Sequence, residues 1–311
     1  VNWPRLRESV RMFFKKPTEG KPLSALRIAI GLMMAVQAIS LFPHVQELYS
    51  QFGLLQADLM ETLTGVAIPG FLLKHGIGPD LYSKILVPFY GLHLMLALLF
   101  MLGFKTRPTT VLLWITQTVI VNSGYFSSYG VDRYTQNLLF LMIFFPVANV
   151  WSVDSWLSPN REKKADCTLG LRLCQLFILM TYISAGASKS LGADWWNGEA
   201  IWRVLNQPEF RQFDFLWLMN YGWLVKGLCW TTMVLETFYF IGVWIPYVGR
   251  LWVLSIIGMH LGIALTMGLQ LFGVTLALVS VALFLVPDSR DGDEPRKTSL
   301  VGSLSPQQAR S

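Results

Sequence analysis

Eight apolar stretches dominate this chain and leave little from which to build a water-soluble domain. They run from about 23 to 42, 84 to 104, 108 to 123, 134 to 148, 168 to 190, 222 to 247, 251 to 267 and 269 to 286. A helix that crosses a bilayer needs roughly 20 such residues. The third and fourth are near the lower limit. The last two come from one run, Leu251 to Val286, which is too long for a single crossing and is divided at Gly268. Hydrophobic residues make up 53% of the chain and charged residues 14%, against about a quarter charged in soluble domains. The expected fold class is therefore all-α, a polytopic transmembrane helix bundle of about eight spans with short interfacial helices in the outer loops. Three regions follow: a basic amphipathic interfacial segment at 1–22, the helical membrane domain at 23–287, and a polar, disordered tail at 288–311.

The lipid bilayer is the first partner. Much of the net charge of +6 comes from Arg5, Arg7, Arg11, Lys15 and Lys16. With Trp3, Leu6, Val10, Phe13 and Phe14 between them, these residues read as a membrane-surface anchor and not as a nucleic-acid patch. The first apolar run is long, holds Arg27 and lacks a small-residue cleavage site, so a retained helix is expected and not a cleaved signal. Lysine and arginine gather in alternate loops: the amino end, Lys105 and Arg107, then Arg161, Lys163 and Lys164, then Arg250. The positive-inside rule then puts both termini of an inner-membrane protein in the cytoplasm and the Asp194 loop outside. Two outer loops are long. Residues 43 to 83, punctuated by Pro43, Gly53, Pro69, Gly70, Gly76 and Pro79, suit short interfacial helices; residues 191 to 221 carry Trp195, Trp196, Trp202 and Trp217, which fit an aromatic belt.

The polar residues inside the spans are the candidates for function. On a helix, Arg172, Gln175, Leu179, Tyr182, Gly186 and Lys189 share one face. Such a stripe belongs against protein or a water-filled cavity. Lys189 has two readings. It snorkels to the headgroups, or it is desolvated beneath the tryptophan-rich loop and works as a base or nucleophile. Glu236 lies near the middle of the sixth span, where an ionised side chain costs on the order of 3 kcal/mol. It needs either a proton or a partner, with Arg27 as a candidate mate. His260 sits between Gly258 and Gly262, whose spacing admits a close helix neighbour; the histidine itself makes an interhelical hydrogen bond or serves as a ligand or proton relay. Asp132 and Arg133 form an exposed pair worth little, start a helix, or join the site. Cys167, Cys174 and Cys229 lack CxxC spacing, and His44, His75, His93 and His260 lack HxxxH or HxH spacing, so neither a disulfide framework nor a bound metal is expected.

Four stretches together resemble a known family. Trp151-Ser152-Val153-Asp154 is similar to a signature of the membrane region of the vitamin K-dependent gamma-carboxylase. Ala185-Gly186-Ala187-Ser188-Lys189, followed by Ala193-Asp194-Trp195 and Gly198, resembles the segment bearing that enzyme's catalytic lysine. Leu26-Arg27-Ile28 with Gly31, and Met259-His260 with Leu269 to Phe272, look like the wider bacterial group called the horizontally transferred transmembrane domain (HTTM) family. The resemblance implies an outward-facing site where a reduced, vitamin K-like quinone reacts with oxygen and Lys189 becomes a strong base. Asp132, Arg133, Glu236 and His260 are the other catalytic candidates, and Tyr182, Gly186 and Trp195 the cofactor-contacting ones. In the carboxylase that base removes a glutamate γ proton before carbon dioxide adds, a lyase reaction. Where the carboxylase has an assisting Asn-His pair, this chain reads Gly130-Val131-Asp132-Arg133. The chain also stops soon after its last span. The expectation is thus a quinone-linked enzyme that modifies an exported peptide, with a separate soluble subunit. The alternative is a noncatalytic membrane subunit that binds lipid, quinone or a partner protein. A transporter is disfavoured, because no pair of broken spans repeats in two halves.

Overall fold

The computed structural model describes residues 18, 20–50, 75–76, 78–123, 129–158 and 166–287, and among these every regular element is helical. Most of the 1–22 segment, most of the 43–83 loop, Arg161, Lys163 and Lys164, and the 288–311 tail lie outside the described residues. Helix α1 (Lys21–Leu41) continues through a 3-10 turn (Phe42–His44) into α2 (Val45–Tyr49). Then come α3 (Pro79–Leu102), α4 (Thr106–Val121), α5 (Gly130–Ile143) and the short α6 (Val153–Leu157). Helix α7 (Thr168–Ser190) leads into α8 (Ala193–Asn197), α9 (Glu199–Asn206) and a second 3-10 turn (Leu216–Tyr221). The chain ends its described part with α10 (Gly222–Thr237), α11 (Tyr239–Gly242), α12 (Val248–Met267) and α13 (Gln270–Ser280), whose last turn is π-helical (Val281–Leu285).

Four segments are long and apolar enough to cross a membrane: Lys21–Tyr49, Asp80–Leu102, Thr168–Ser190 and Val248–Met267, with a shorter apolar helix at Gln270–Leu285. The division expected at Gly268 is present, and that glycine holds φ at +69°, a left-handed turn costly to any residue with a Cβ. Two expected spans are corrected. The fourth helix occupies 130–143, not 134–148, because the Asp132 carboxylate accepts the Tyr129 N–H at 2.8 Å and starts the helix earlier. The sixth stretch, 222–247, is not one helix. It breaks after Thr237 and again before Pro246, where Gly242 lies against the Trp252 ring.

Helix α1 packs against α3 and α13 and touches α7. Its Leu23, Leu26, Ile30 and Met34, spaced three and four apart, are buried in the main core with Phe100, Leu138, Ile178 and Val279. Within lipid, close packing takes over from apolar burial as the force between helices. Gly31 supplies it here, since a Cβ at that position would stand 2.8 Å from the Met101 backbone.

The end of the bundle where α1 begins is closed by Arg27, whose side chain is wholly buried. Its guanidinium donates to the Val147 carbonyl at 3.1 Å, to the Phe100 carbonyl at 2.8 Å, and to the carbonyls of Met101 and Trp151. These are helix-end and loop carbonyls, where the helical ladder leaves acceptors to spare; that of Phe100 also accepts the Gly103 N–H at 3.0 Å. The proposed Arg27–Glu236 pair is therefore wrong: the guanidinium's donors are committed to the turns after α3 and α5. Asp154 completes the clasp by capping α4, accepting from Lys105 N and Thr106 N at 2.8 Å each and from Thr106 Oγ1 at 2.7 Å. Burial alone would raise the Asp154 carboxyl, but these hydrogen bonds and the nearby Arg27 charge outweigh it and hold the group below the usual carboxylate range. The Trp151-Ser152-Val153-Asp154 motif is thus a structural knot.

Two outcomes test the clasp. Arg27→Ala takes its donor from several buried carbonyls and should cost about 1–3 kcal/mol for each left without one, read as a lower melting temperature in detergent. Because the folded carboxyl of Asp154 titrates below its unfolded value, its stabilisation is full above the unfolded pKa and is lost as pH falls through the folded one. Acid melting curves of Asp154→Asn should therefore be flatter with pH than those of the parent in that acidic window.

Candidate functional site

Helix α7 crosses the bundle and delivers Lys189 to the end opposite Arg27. The predicted stripe faces inward: Gln175, Leu179, Tyr182 and Gly186 are buried. Gly186 is the reason α7 and α10 meet so closely. A Cβ there would lie 2.6 Å from the Thr237 backbone nitrogen and closer still to Thr237 Oγ1. One turn beyond this contact, Lys189 Nζ donates to Glu236 Oε2 at 2.6 Å. The side chains are 23% and 7% exposed. The lysine therefore turns into the bundle and finds the partner that the buried carboxylate requires. Trp195 lies on the ammonium's other flank, its ring centroid 5.3 Å from Nζ, within cation–π range.

The loop that carries Trp195 is pinned to the end of α7 and to α10. Trp196 Nε1 donates to the Ser190 carbonyl at 2.8 Å, and Trp230 Nε1 donates to the Trp196 carbonyl at 3.1 Å. Gly198, at φ +94°, lets the loop approach the Lys226 backbone, which a Cβ would meet at 3.0 Å.

Behind Lys189 opens a cavity of about 620 Å³, walled by α8, α9, the second 3-10 turn, α10 and α12. Its walls are mainly apolar, including Ile201, Leu205, Phe215, Leu228 and Ile263, and the ionisable groups are Lys189, Glu236 and His260. His260 is 2% exposed, and its Nε2 lies 2.6 Å from the Tyr182 hydroxyl. Three of the catalytic candidates and Trp195 thus share one chamber; Tyr182 bonds its His260, and Gly186 lies outside the lining, packed on Thr237 next to Glu236.

Asp132 and Arg133 do not line it. Asp132 is buried at the start of α5, where it accepts from Tyr129 N and, at 2.6 Å, from Gln37 Nε2 of α1; Arg133 is exposed. The reading of Gly258 and Gly262 as a helix-contact pair is also corrected. Among the described residues a Cβ at either would meet nothing within 4 Å, and both border the cavity. They widen the chamber. The close contact to α12 comes instead from Gly273 of α13, packed on the His260 carbonyl. Sequence reasoning passed over Thr232, one turn before Glu236 and on the cavity wall, which the same-face rule would have found. It also missed Thr237, whose role comes only from its opposition to Gly186.

A helical bundle with four membrane-length apolar segments and a charged pair sheltered at one end defines a multi-pass membrane protein. The HTTM domain matches residues 15–288, nearly the whole chain, and the chain belongs to that family. No match was found among curated proteins or among solved structures.

Gly186→Ala tests the packing beneath the site. It should destabilise the protein by about 1–3 kcal/mol through overpacking, read by thermal melting. Adding Thr237→Ala should not restore stability, because the obstructing backbone nitrogen remains.

Proposed function

We propose that this protein is a quinone-linked membrane enzyme whose base is Lys189, acting on an exported peptide, with eight crossings, both termini in the cytoplasm and the cavity toward the outer face of the inner membrane. The observation that carries this reading is the Lys189–Glu236 pair, at 2.6 Å, set at the polar end of a large apolar chamber. A reduced isoprenoid quinone fits that division. Its ring would meet Lys189, Glu236 and His260, and its tail would lie along Leu205, Leu228 and Ile263. When bound, such a group supplies the reaction with oxygen from which a strong base arises. The chain's own part is proton handling. Moving the proton between Nζ and Oε2 converts the ion pair into a neutral amine and a neutral acid, so Glu236 can hold the proton that Lys189 must shed to act as a base. The lipid bilayer is the solvent for the bundle, and a separate soluble subunit would present the peptide.

Purified protein in lipid nanodiscs, supplied with reduced vitamin K and oxygen, should form the quinone epoxide. Lys189→Ala should lower the rate by at least about 10²-fold, the size of a general base's contribution, with unchanged expression. Epoxide formation equal in the variant and the parent removes Lys189 from the chemistry.

A second reading is favoured by the salt bridge itself, which commits Lys189 Nζ to Glu236 and to the face of Trp195. The chamber then belongs to a noncatalytic subunit that holds a lipid or quinone by its tail. Binding of a quinone without any epoxide, weakened by Lys189→Ala, would mark that reading as the right one.

A further inference from the structure

Behind His260 the core holds a group of polar atoms that the proposed chemistry does not use. Among the described residues Tyr134 Oη of α5 and His260 Nδ1 of α12 lack a hydrogen-bond partner, while Tyr239 Oη of α11 and Ser280 Oγ of α13 have within reach only each other and Tyr182, without good hydrogen-bond geometry. They are neighbours. The Tyr182 and Tyr239 rings meet edge to face at 4.9 Å between centroids, the Tyr182 hydroxyl bonds His260 Nε2, and Ser280 lies within hydrogen-bonding reach of both tyrosine hydroxyls. Tyr134 shares the same core cluster with Tyr182 and Tyr239.

An unpaired buried hydroxyl costs about 1–3 kcal/mol. A cluster so short of good partners is a burden, and buried water is the usual remedy, each molecule making about three hydrogen bonds to groups of this kind. We propose that this cluster binds ordered water and forms a proton relay that joins the cavity, at His260, to the hydroxyls of Tyr182, Tyr239, Ser280 and Tyr134. The ligand is water, held between five helices. A proton taken up on one ring nitrogen of His260 is released from the other, and each hydroxyl or water in line accepts one proton as it gives one. Nothing is consumed. The use of the relay, returning the protons that Lys189 and Glu236 exchange, rests on the enzymatic reading above; the water chain does not.

The chain has four histidines, so labelling them alone with 15N leaves a readable spectrum. The full chain in nanodiscs is transferred to D2O, with His260→Gln identifying the resonance. The relay predicts that the ring proton of His260 exchanges while the amides of α7 stay protected. In Ser280→Ala and Tyr239→Phe the exchange should slow about tenfold, the effect of losing one hydrogen bond of roughly 1.4 kcal/mol from the path. Both variants remove only an oxygen, so both should fold. Each should also lower the melting temperature by about 2–4 °C, as a bound water loses a partner. A dry cluster gives a different exchange result, because with no water to carry deuterons inward the ring proton of His260 stays protected as long as the amides of α7. A His260 ring proton protected as long as the α7 amides in the parent, or exchange in both variants as fast as in the parent, overturns the proposal. Lys189→Ala strands the buried Glu236 carboxylate and so lowers the melting temperature on its own, but it should leave the exchange of the His260 ring proton, and its slowing in Ser280→Ala and Tyr239→Phe, where they are, so failure of the enzymatic reading and failure of the relay are separate results.

Discussion

A carboxylate carried into the interior of a membrane bundle must be neutralised, and how Glu236 meets that demand governs the architecture at this end of the molecule. Its partner is 47 residues away, on another helix. The two side chains meet because Gly186 removes the Cβ that would hold α7 and α10 apart. Helix separation here is set by backbone contact, so the ion-pair distance is fixed by packing and not by the reach of a long lysine chain. A lysine that only needed water could extend past the end of its helix. This one is drawn back between Glu236 and Trp195, and the loop bearing Trp195 is fastened by two indole hydrogen bonds.

The opposite end solves a related problem with different chemistry. Arg27 is also charged and buried, yet it meets no acid directly. Its planar fork gathers carbonyls from three segments that end or turn there. A guanidinium can satisfy several acceptors at once, so it suits a knot of chain ends. An ammonium beside a single carboxylate suits proton exchange. The division of labour between arginine and lysine thus follows donor geometry. It also accounts for two of the family-like motifs in terms of stability: Leu26-Arg27-Ile28 and Trp151-Ser152-Val153-Asp154 hold the bundle's far end, remote from the cavity.

How much of this was legible in the sequence depends on the range of the interaction. The inward face of α7 could be read because a helix repeats locally, and the break at Gly268 could be read from length. The mate of Glu236 could not. Arg27 and Lys189 were both cations within spans, and only the crossing of α7 on α10 distinguishes them. The start of α5 was missed by four residues because apolar runs mark lipid contact, whereas the Tyr129–Asp132 cap marks where hydrogen bonding begins. Asp132 was grouped with Lys189 by the membrane face on which both were expected; the fold places it against Gln37 and outside the lining of the chamber.

Gly258 and Gly262 sharpen the point, since small residues four apart have two opposite uses. Against a neighbouring helix they permit contact; beside a void they create room. Which use applies depends on what faces them. On α12 the demand for close packing is already met by Gly273, which seats α13 on the His260 carbonyl from another side. Helix α12 is therefore anchored by its partner's glycine, and its own glycines are left to border the space next to His260. That arrangement keeps a histidine at a cavity wall while its backbone is immobilised, which is what a group must have if it is to meet a ligand on one side and a fixed hydroxyl, Tyr182, on the other.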